Sequence, residues 1–299
     1  MMKIGGFSHD GKPSDKSENN TKMGEWNEIT DLSPKALLET RNNLHQAVQL
    51  VGAVPRNLLL HDPTDATASL PWNAATDCLE SLPIEHDGKG IKVGLAFSDF
   101  KLKVFVEDQE WQSLALANQS VNEGLNWLTT TLEQLGLDST KINLSLPYEI
   151  PSFDLDQPLE VDHSSLQVFN ALYSNVHLIL EREVSHWKDA FDIRCWPHHF
   201  DIATLIPLEK DKNGEVTKSI GVGLSPGDEG VEEPYIYVNV WPSVAYETLA
   251  KHALPAGHWN KHGWSGGVLT YSDFVAGKQE ELVAHFVRET VQTLKRETS

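Results

Sequence analysis

The chain has 299 residues, a formal net charge of −19, 40% hydrophobic residues and two cysteines. That length supports one large domain or two modest ones, and the acidic balance argues against nucleic acid or an anionic membrane as partner, since both select basic surfaces. No stretch approaches the roughly 20 apolar residues of a spanning helix, Cys78 and Cys195 make no disulfide framework, and the start MMKIGGFSHDGKPSDKSENN lacks a secretory apolar core, so a cytoplasmic setting is expected.

Residues 1–31 are polar and aperiodic, and read as a mobile tail. Ser33 and Pro34 then start a helix, with Leu37, Leu44, Val48 and Val51 as its apolar stripe. From Pro55 to Glu85 the pattern is irregular, with turns and one short strand. Ile91, Val93, Leu95 and Phe97 alternate with smaller or polar residues, as do Leu102, Val104 and Val106; a turn through Ser98, Asp99 and Phe100 joins the two strands. Ser120 and Glu123 form a capping box before a helix striped by Val121, Leu125, Leu128, Leu132 and Leu135, which stops at Gly136.

The segment PYEIPSFDLDQP reads as a linker. Beyond it a helix is expected near 163–187, carrying Leu166, Phe169, Tyr173, Val176, Leu180, Val184 and Trp187 on one face. Strands follow at about 198–207, 216–224, 235–241 and 266–270, the first two joined by the hairpin signal Asn213-Gly214. A last helix at about 278–295 carries Val283, Val287, Val291 and Leu294. The expected fold is α+β, with antiparallel sheets and flanking helices. Its halves, 32–150 and 151–299, run through the same kinds of element and suggest an ancient duplication within one compact unit. Val93-Gly94-Leu95 with Asp99 matches Val222-Gly223-Leu224 with Asp228 in support.

The stretch CWPHHFDIATLI, Cys195 to Ile206, raises the functional question. Strand alternation puts His198 with Phe200, Ile202 and Ile206, and His199 with Asp201, Ala203 and Leu205. On neighbouring strands, Ile220, Val222, Leu224, Ile236, Val238 and Val240 form the apolar face. The other face then combines His199 and Asp201, the glycines 221 and 223, and the row Tyr235, Tyr237, Asn239 and Trp241. Glycine inside a strand often marks a close approach by a ligand or another backbone. Two readings stand side by side: an open groove with aromatic walls, or a covered face whose tyrosines bond internally.

Two loops adjoin this face. SPGDEGVEEP brings Asp228 and Glu229; GHWNKHGWSGG brings His258, Trp259, His262 and Trp264. The expected roles are His199 and Asp201 as catalytic acid and base, with the other ten residues binding ligand. A histidine beside a carboxylate is a workable proton-transfer pair. No cofactor is predicted; a divalent metal held by the same His, Asp and Glu side chains is the alternative, although the spacing matches no zinc signature. Cys195 reads as a buried inert thiol, and His45, His177 and His285 as structural or exposed helix residues. There is no nucleophile elbow, Walker loop or dinucleotide fingerprint.

Four blocks carry a resemblance: Trp196-Pro197-His198-His199-Phe200-Asp201, Gly221 to Glu229, Glu233 to Pro242, and Gly257 to Trp264. On these the chain resembles bacterial domain-of-unknown-function family 5996, from the helix containing His45 to the C-terminal helix. The resemblance implies a single unit of this size in the cytoplasm, and no activity comes with it. The sequence is therefore read as that of a protein binding a small polar or sugar-like molecule. The alternatives are a metal-dependent hydrolase and a protein-interaction module. Oligomeric state is open.

Overall fold

A computed structural model describes residues 24–60, 62, 65–187 and 189–298. Most of the expected tail, residues 1–23, lies outside the described residues; its last eight residues are docked rather than free. Ile29 is buried, its N–H donates to Gln279 Oε1 at 2.9 Å, and the Asn27 N–H donates to Asn175 Oδ1 at 2.8 Å.

The helices are α1 (Pro34–Leu58), α2 (Val121–Gln134), α3 (His163–Val184), α4 (Tyr246–Leu249), α5 (Tyr271–Phe274) and α6 (Gln279–Glu297). The first sheet comprises β1 (Trp72–Asn73), β2 (Cys78–Glu80), β3 (Ile84–His86), β4 (Lys89–Ala96), β5 (Lys101–Val106) and β6 (Gln109–Ala115). Its order is β1-β2-β4-β5-β6, with β3 also on β4. The second comprises β7 (Arg194–Trp196), β8 (Asp201–Lys210), β9 (Val216–Ser225), β10 (Tyr235–Trp241), β11 (His258–Trp259) and β12 (Gly266–Thr270). Its order is β11-β12-β10-β9-β8-β7. Every pairing is antiparallel, and the fold is α+β.

The elements form where their patterns lead. Leu37, Leu44, Val48 and Val51 are buried, and Pro34 opens α1 without losing a needed N–H. The capping box on α2 is complete: Ser120 Oγ accepts from the Glu123 N–H at 3.1 Å, and Glu123 Oε2 accepts from the Ser120 N–H at 2.7 Å. α1 runs three residues beyond the expected break, because Pro55 still offers its carbonyl to Leu59. The expected helix to 187 ends at Val184, and Trp187 packs on the core from outside it. β6 had no expectation, since Glu110, Trp111, Ser113 and Ala115 are exposed and only Leu114 and Gln112 face inward.

The apolar face of the second sheet follows the register. Val238 pairs Val222, which pairs Thr204; Ile236 pairs Leu224, which pairs Ile202. Helices α3 and α6 pack on this face, and Gly267 admits Phe286 and Thr290 of α6 close to β12. The two sheets share one continuous core, in which the rings of Phe97, Tyr173 and Phe200 meet edge-on or tilted with centroids 4.9–6.1 Å apart. The halves are also stitched by backbone: Leu70 and Cys195 exchange both N–H···O bonds, at 2.7 and 2.8 Å.

On the opposite face, the two glycines are occupied by their neighbours. A Cβ on Gly223 would lie 2.7 Å from both Ala203 Cβ and the Tyr237 hydroxyl, and Gly221 leaves room for Asn239, whose Oδ1 accepts the Gly221 N–H at 3.1 Å. A Gly223→Ala change should therefore cost about 1–3 kcal/mol through overpacking, read as a lower denaturation midpoint; a midpoint unchanged from wild type would contradict this packing.

Candidate functional site

Strand alternation does not reach the histidines. β8 begins at Asp201, and Pro197, His198, His199 and Phe200 form a turn between β7 and β8. Phe200 has φ of +56°, a left-handed conformation that ends the extended run. The two imidazoles consequently lie side by side, with centroids 4.2 Å apart, rather than on opposite faces as the alternation required.

The turn is held from three sides. The Pro197 carbonyl accepts from His45 Nε2 at 2.9 Å and from Gln49 Nε2 at 2.7 Å. A carbonyl only accepts, so His45 Nε2 carries the proton. Gly52 of α1 lets the Pro197 ring approach: a Cβ there would sit 3.1 Å from Pro197 Cγ. From α3, the buried Tyr173 hydroxyl donates to the Phe200 carbonyl. His45 also stacks on Phe200, with rings 5° from parallel and centroids 5.5 Å apart.

On one side of the turn lies Asp201. Its Oδ2 accepts from the Tyr237 hydroxyl at 2.6 Å, while its Oδ1 is buried with no hydrogen-bond partner. Burial raises the Asp201 carboxyl above the usual range, against the Tyr237 hydrogen bond and the His199 charge, which both lower it. Burial, then the neighbouring carboxylate, pushes the Tyr237 phenol well up. His199 is exposed beside this pair. The set can hold a proton on an enclosed carboxyl with an exposed imidazole at hand.

On the other side of the turn is a polar cluster that the sequence reading missed. Arg56 binds Asp65 through two nitrogens, Nε at 2.9 Å and Nη2 at 2.8 Å, and Nη2 also donates to the Tyr148 hydroxyl at 2.6 Å. That hydroxyl donates to Asp65 Oδ2 at 3.0 Å. The Tyr148 ring lies 4.5 Å from the His198 ring. A signal was present: His45, Gln49, Gly52 and Arg56 fall at helical spacing on one face of α1, beside its apolar stripe.

The remaining expected residues are placed apart or differently. Asp228 closes its own loop, accepting from the Gly230 and Val231 N–H groups at 2.7 and 2.9 Å and from the Tyr235 hydroxyl at 2.6 Å. Three of its four acceptor sites are thus committed. Glu229, His258 and His262 are exposed. Trp259 is in the core with its indole N–H on the His252 carbonyl, so it walls no groove. Trp264 meets Tyr237 edge-on at 6.3 Å, Asn239 lies over Gly221, and Trp241 is 45% exposed at the strand end. Among the described residues no three His, Cys, Asp or Glu side chains gather as a metal site, which leaves the metal alternative without a ligand set. Both cysteines are buried and free, and burial pushes the Cys195 thiol well above its usual range.

Two clefts among the described residues lie elsewhere. One of about 170 Å³ is lined by Asn27, Gln167 and Asn170; one of about 450 Å³ lies between the 251–255 loop and α6. Neither touches the turn.

Residues 29–296 match the family of unknown function DUF5996, and the chain belongs to that family. No curated protein and no solved structure matches it.

Burial holds both turn-side imidazoles neutral: His45 and His198 are each pushed from 6.5 down to about 4. Between those values the unfolded chain binds more protons, so stability rises with pH there and is lost as pH falls. Asp201 acts in the opposite sense, because its raised folded value retains a proton that the unfolded chain releases. In Asp201→Asn that opposing carboxyl is gone and the two imidazoles act alone. In that variant the unfolding free energy should drop between pH 7 and pH 5, by about 1 kcal/mol per pH unit for buried His45 and less for partly exposed His198, and the melting temperature should fall with it. Calorimetry across that range checks it, and a flat profile would contradict neutral, enclosed imidazoles.

Proposed function

We propose that the chain binds a small polar molecule beside the Pro197–Phe200 turn, with Asp201, Tyr237 and His199 as the groups that hold it and move its proton. The observation that carries this reading is the Asp201 carboxyl: enclosed, raised, bonded through one oxygen to Tyr237 and left unpartnered on the other. A buried unpartnered carboxyl oxygen costs stability, and such local inconsistencies concentrate where a protein does chemistry. Its raised range suits a general acid that donates to a ligand oxygen or nitrogen and recovers the proton through exposed His199. Tyr235 and Trp264 flank Tyr237 and extend an aromatic wall beside the carboxyl.

Two free, buried cysteines fit a reducing cytoplasm, and among the described residues no helix is long and apolar enough to cross a membrane. An ancestral duplication stays part of the proposal. Its support is the pair of four-residue turns 97–100 and 197–200, each ending in a phenylalanine of positive φ before a strand, which pairs β4–β5 with β7–β8 in place of the 93–99 match with 222–228.

A thermal-shift screen of small polar metabolites tests the binding reading. A ligand that stabilises the wild-type chain should bind at least about ten-fold more weakly, near 1.4 kcal/mol, to folded Asp201→Asn and Tyr237→Phe. Equal stabilisation of wild type and both variants would remove these residues from the site.

A further inference from the structure

Three polar atoms on the α1 side of the turn are buried without partners: Gln49 Oε1, Arg56 Nη1 and His198 Nδ1. Gln49 is 5% exposed and the Arg56 side chain 10%. Among the described residues the other such atoms are Trp72 Nε1, Asn170 Oδ1 and Asp201 Oδ1. The first three come from α1 and from the turn clamped onto it, with Gln49 bonded to the carbonyl just before His198 and the Tyr148 ring between His198 and the Arg56 guanidinium. The segment that covers them is the one read as a linker. Residues 143–157 contain no helix or strand, yet Tyr148 packs on His198 and Phe153 meets His45 edge-on at 5.6 Å.

We infer that this side of the turn is a recognition subsite for a neutral sugar or cyclitol, closed by the 143–157 strap, with Gln49, Arg56 and His198 reading its hydroxyls. The inference rests on the binding function proposed above and names its ligand class. The hydrogen-bond inventory decides the class. Arg56 Nη1 only donates. Gln49 Oε1 only accepts, since its Nε2 is spent on the His45 and Pro197 carbonyls. Neutral His198 has one donor and one acceptor nitrogen. A hydroxyl donates and accepts, so adjacent hydroxyls satisfy all three atoms. An anion satisfies donors only, so it leaves the Gln49 oxygen unsatisfied and meets both that oxygen and the Asp65 carboxylate that already neutralises Arg56. The rings of Tyr148 and Phe153 supply a flat apolar wall for the C–H face of a pyranose or cyclitol ring. In this structure the strap is shut. Entry requires it to lift, which breaks the Tyr148 hydroxyl's bonds with Arg56 and Asp65, the Asn57–Asn143 bonds, and the Asn122 bonds to Leu155 and Asp156.

The test uses the full chain with glucose, galactose, mannose and myo-inositol as neutral probes, and acetate and inorganic phosphate as anions. Saturation-transfer NMR reads binding, and chymotrypsin, which cuts at Tyr148 and Phe153, reads strap closure. The expected result is binding of at least one neutral probe, weakened about ten-fold in His198→Phe and Tyr148→Ala and largely restored in Tyr148→Phe. The same probe should slow cleavage of the wild-type strap, a readout independent of whether any variant folds. A neutral ligand whose affinity is indifferent to His198→Phe and Tyr148→Ala but lost in Asp201→Asn overturns the subsite and leaves the Asp201 reading standing. Binding of acetate or phosphate alone overturns the ligand class. If no probe binds and the metabolite screen is also empty, both readings fall.

Discussion

The carbonyl of Pro197 is the fixed point of this molecule. It accepts from two side chains of α1, His45 and Gln49, and the proline ring it belongs to fits against Gly52 one turn further on. A helix from the first half thereby grips a turn from the second. The flanking residues reinforce the grip: Cys195 bonds Leu70 in both directions, and the Phe200 carbonyl is taken by Tyr173. The Gln49 and Tyr173 bonds are buried, so breaking either leaves a buried group unsatisfied. The turn is therefore held in one conformation, and that conformation sets His198 towards Arg56 and Asp65 and leaves His199 exposed beside Asp201.

What surrounds the turn differs on its two sides. The Asp201 side is a sheet face, where Gly221 and Gly223 allow Asn239 and Tyr237 to lie flat across β9 and carry a hydroxyl to the carboxyl. The α1 side is a neutralised ion pair roofed by aromatic rings. In the function proposed above, one side offers a proton and the other hydrogen-bond selectivity. The two clefts of about 170 and 450 Å³ lie away from both sides.

The fold was largely legible in the sequence because its elements are amphipathic with clear ends: the Ser120–Glu123 box, the Pro34 start, and strands whose apolar sets share one face in the observed register. Short polar strands such as β6 carry no such pattern. The site was legible only in part. The glycine floor and the Tyr237–Asp201 side were indicated by residue type, but side chains of the same chain fill the floor. Periodicity misplaced the histidines, since the positive φ of Phe200 is invisible to strand alternation. Arg56, Gln49 and Tyr148 escaped because their meeting with His198 depends on two distant segments docking on one turn, and no local motif encodes that.

The clamp on the turn is most directly tested by following the histidine side-chain resonances through a pH titration by NMR. The account predicts that His45 stays neutral with its proton on Nε2 well below pH 6, and titrates near its depressed value of about 4. Titration of His45 near the free value of 6.5, with exchange between both ring tautomers, would show that its bond to the Pro197 carbonyl does not hold the turn, and the arrangement built on it would fail.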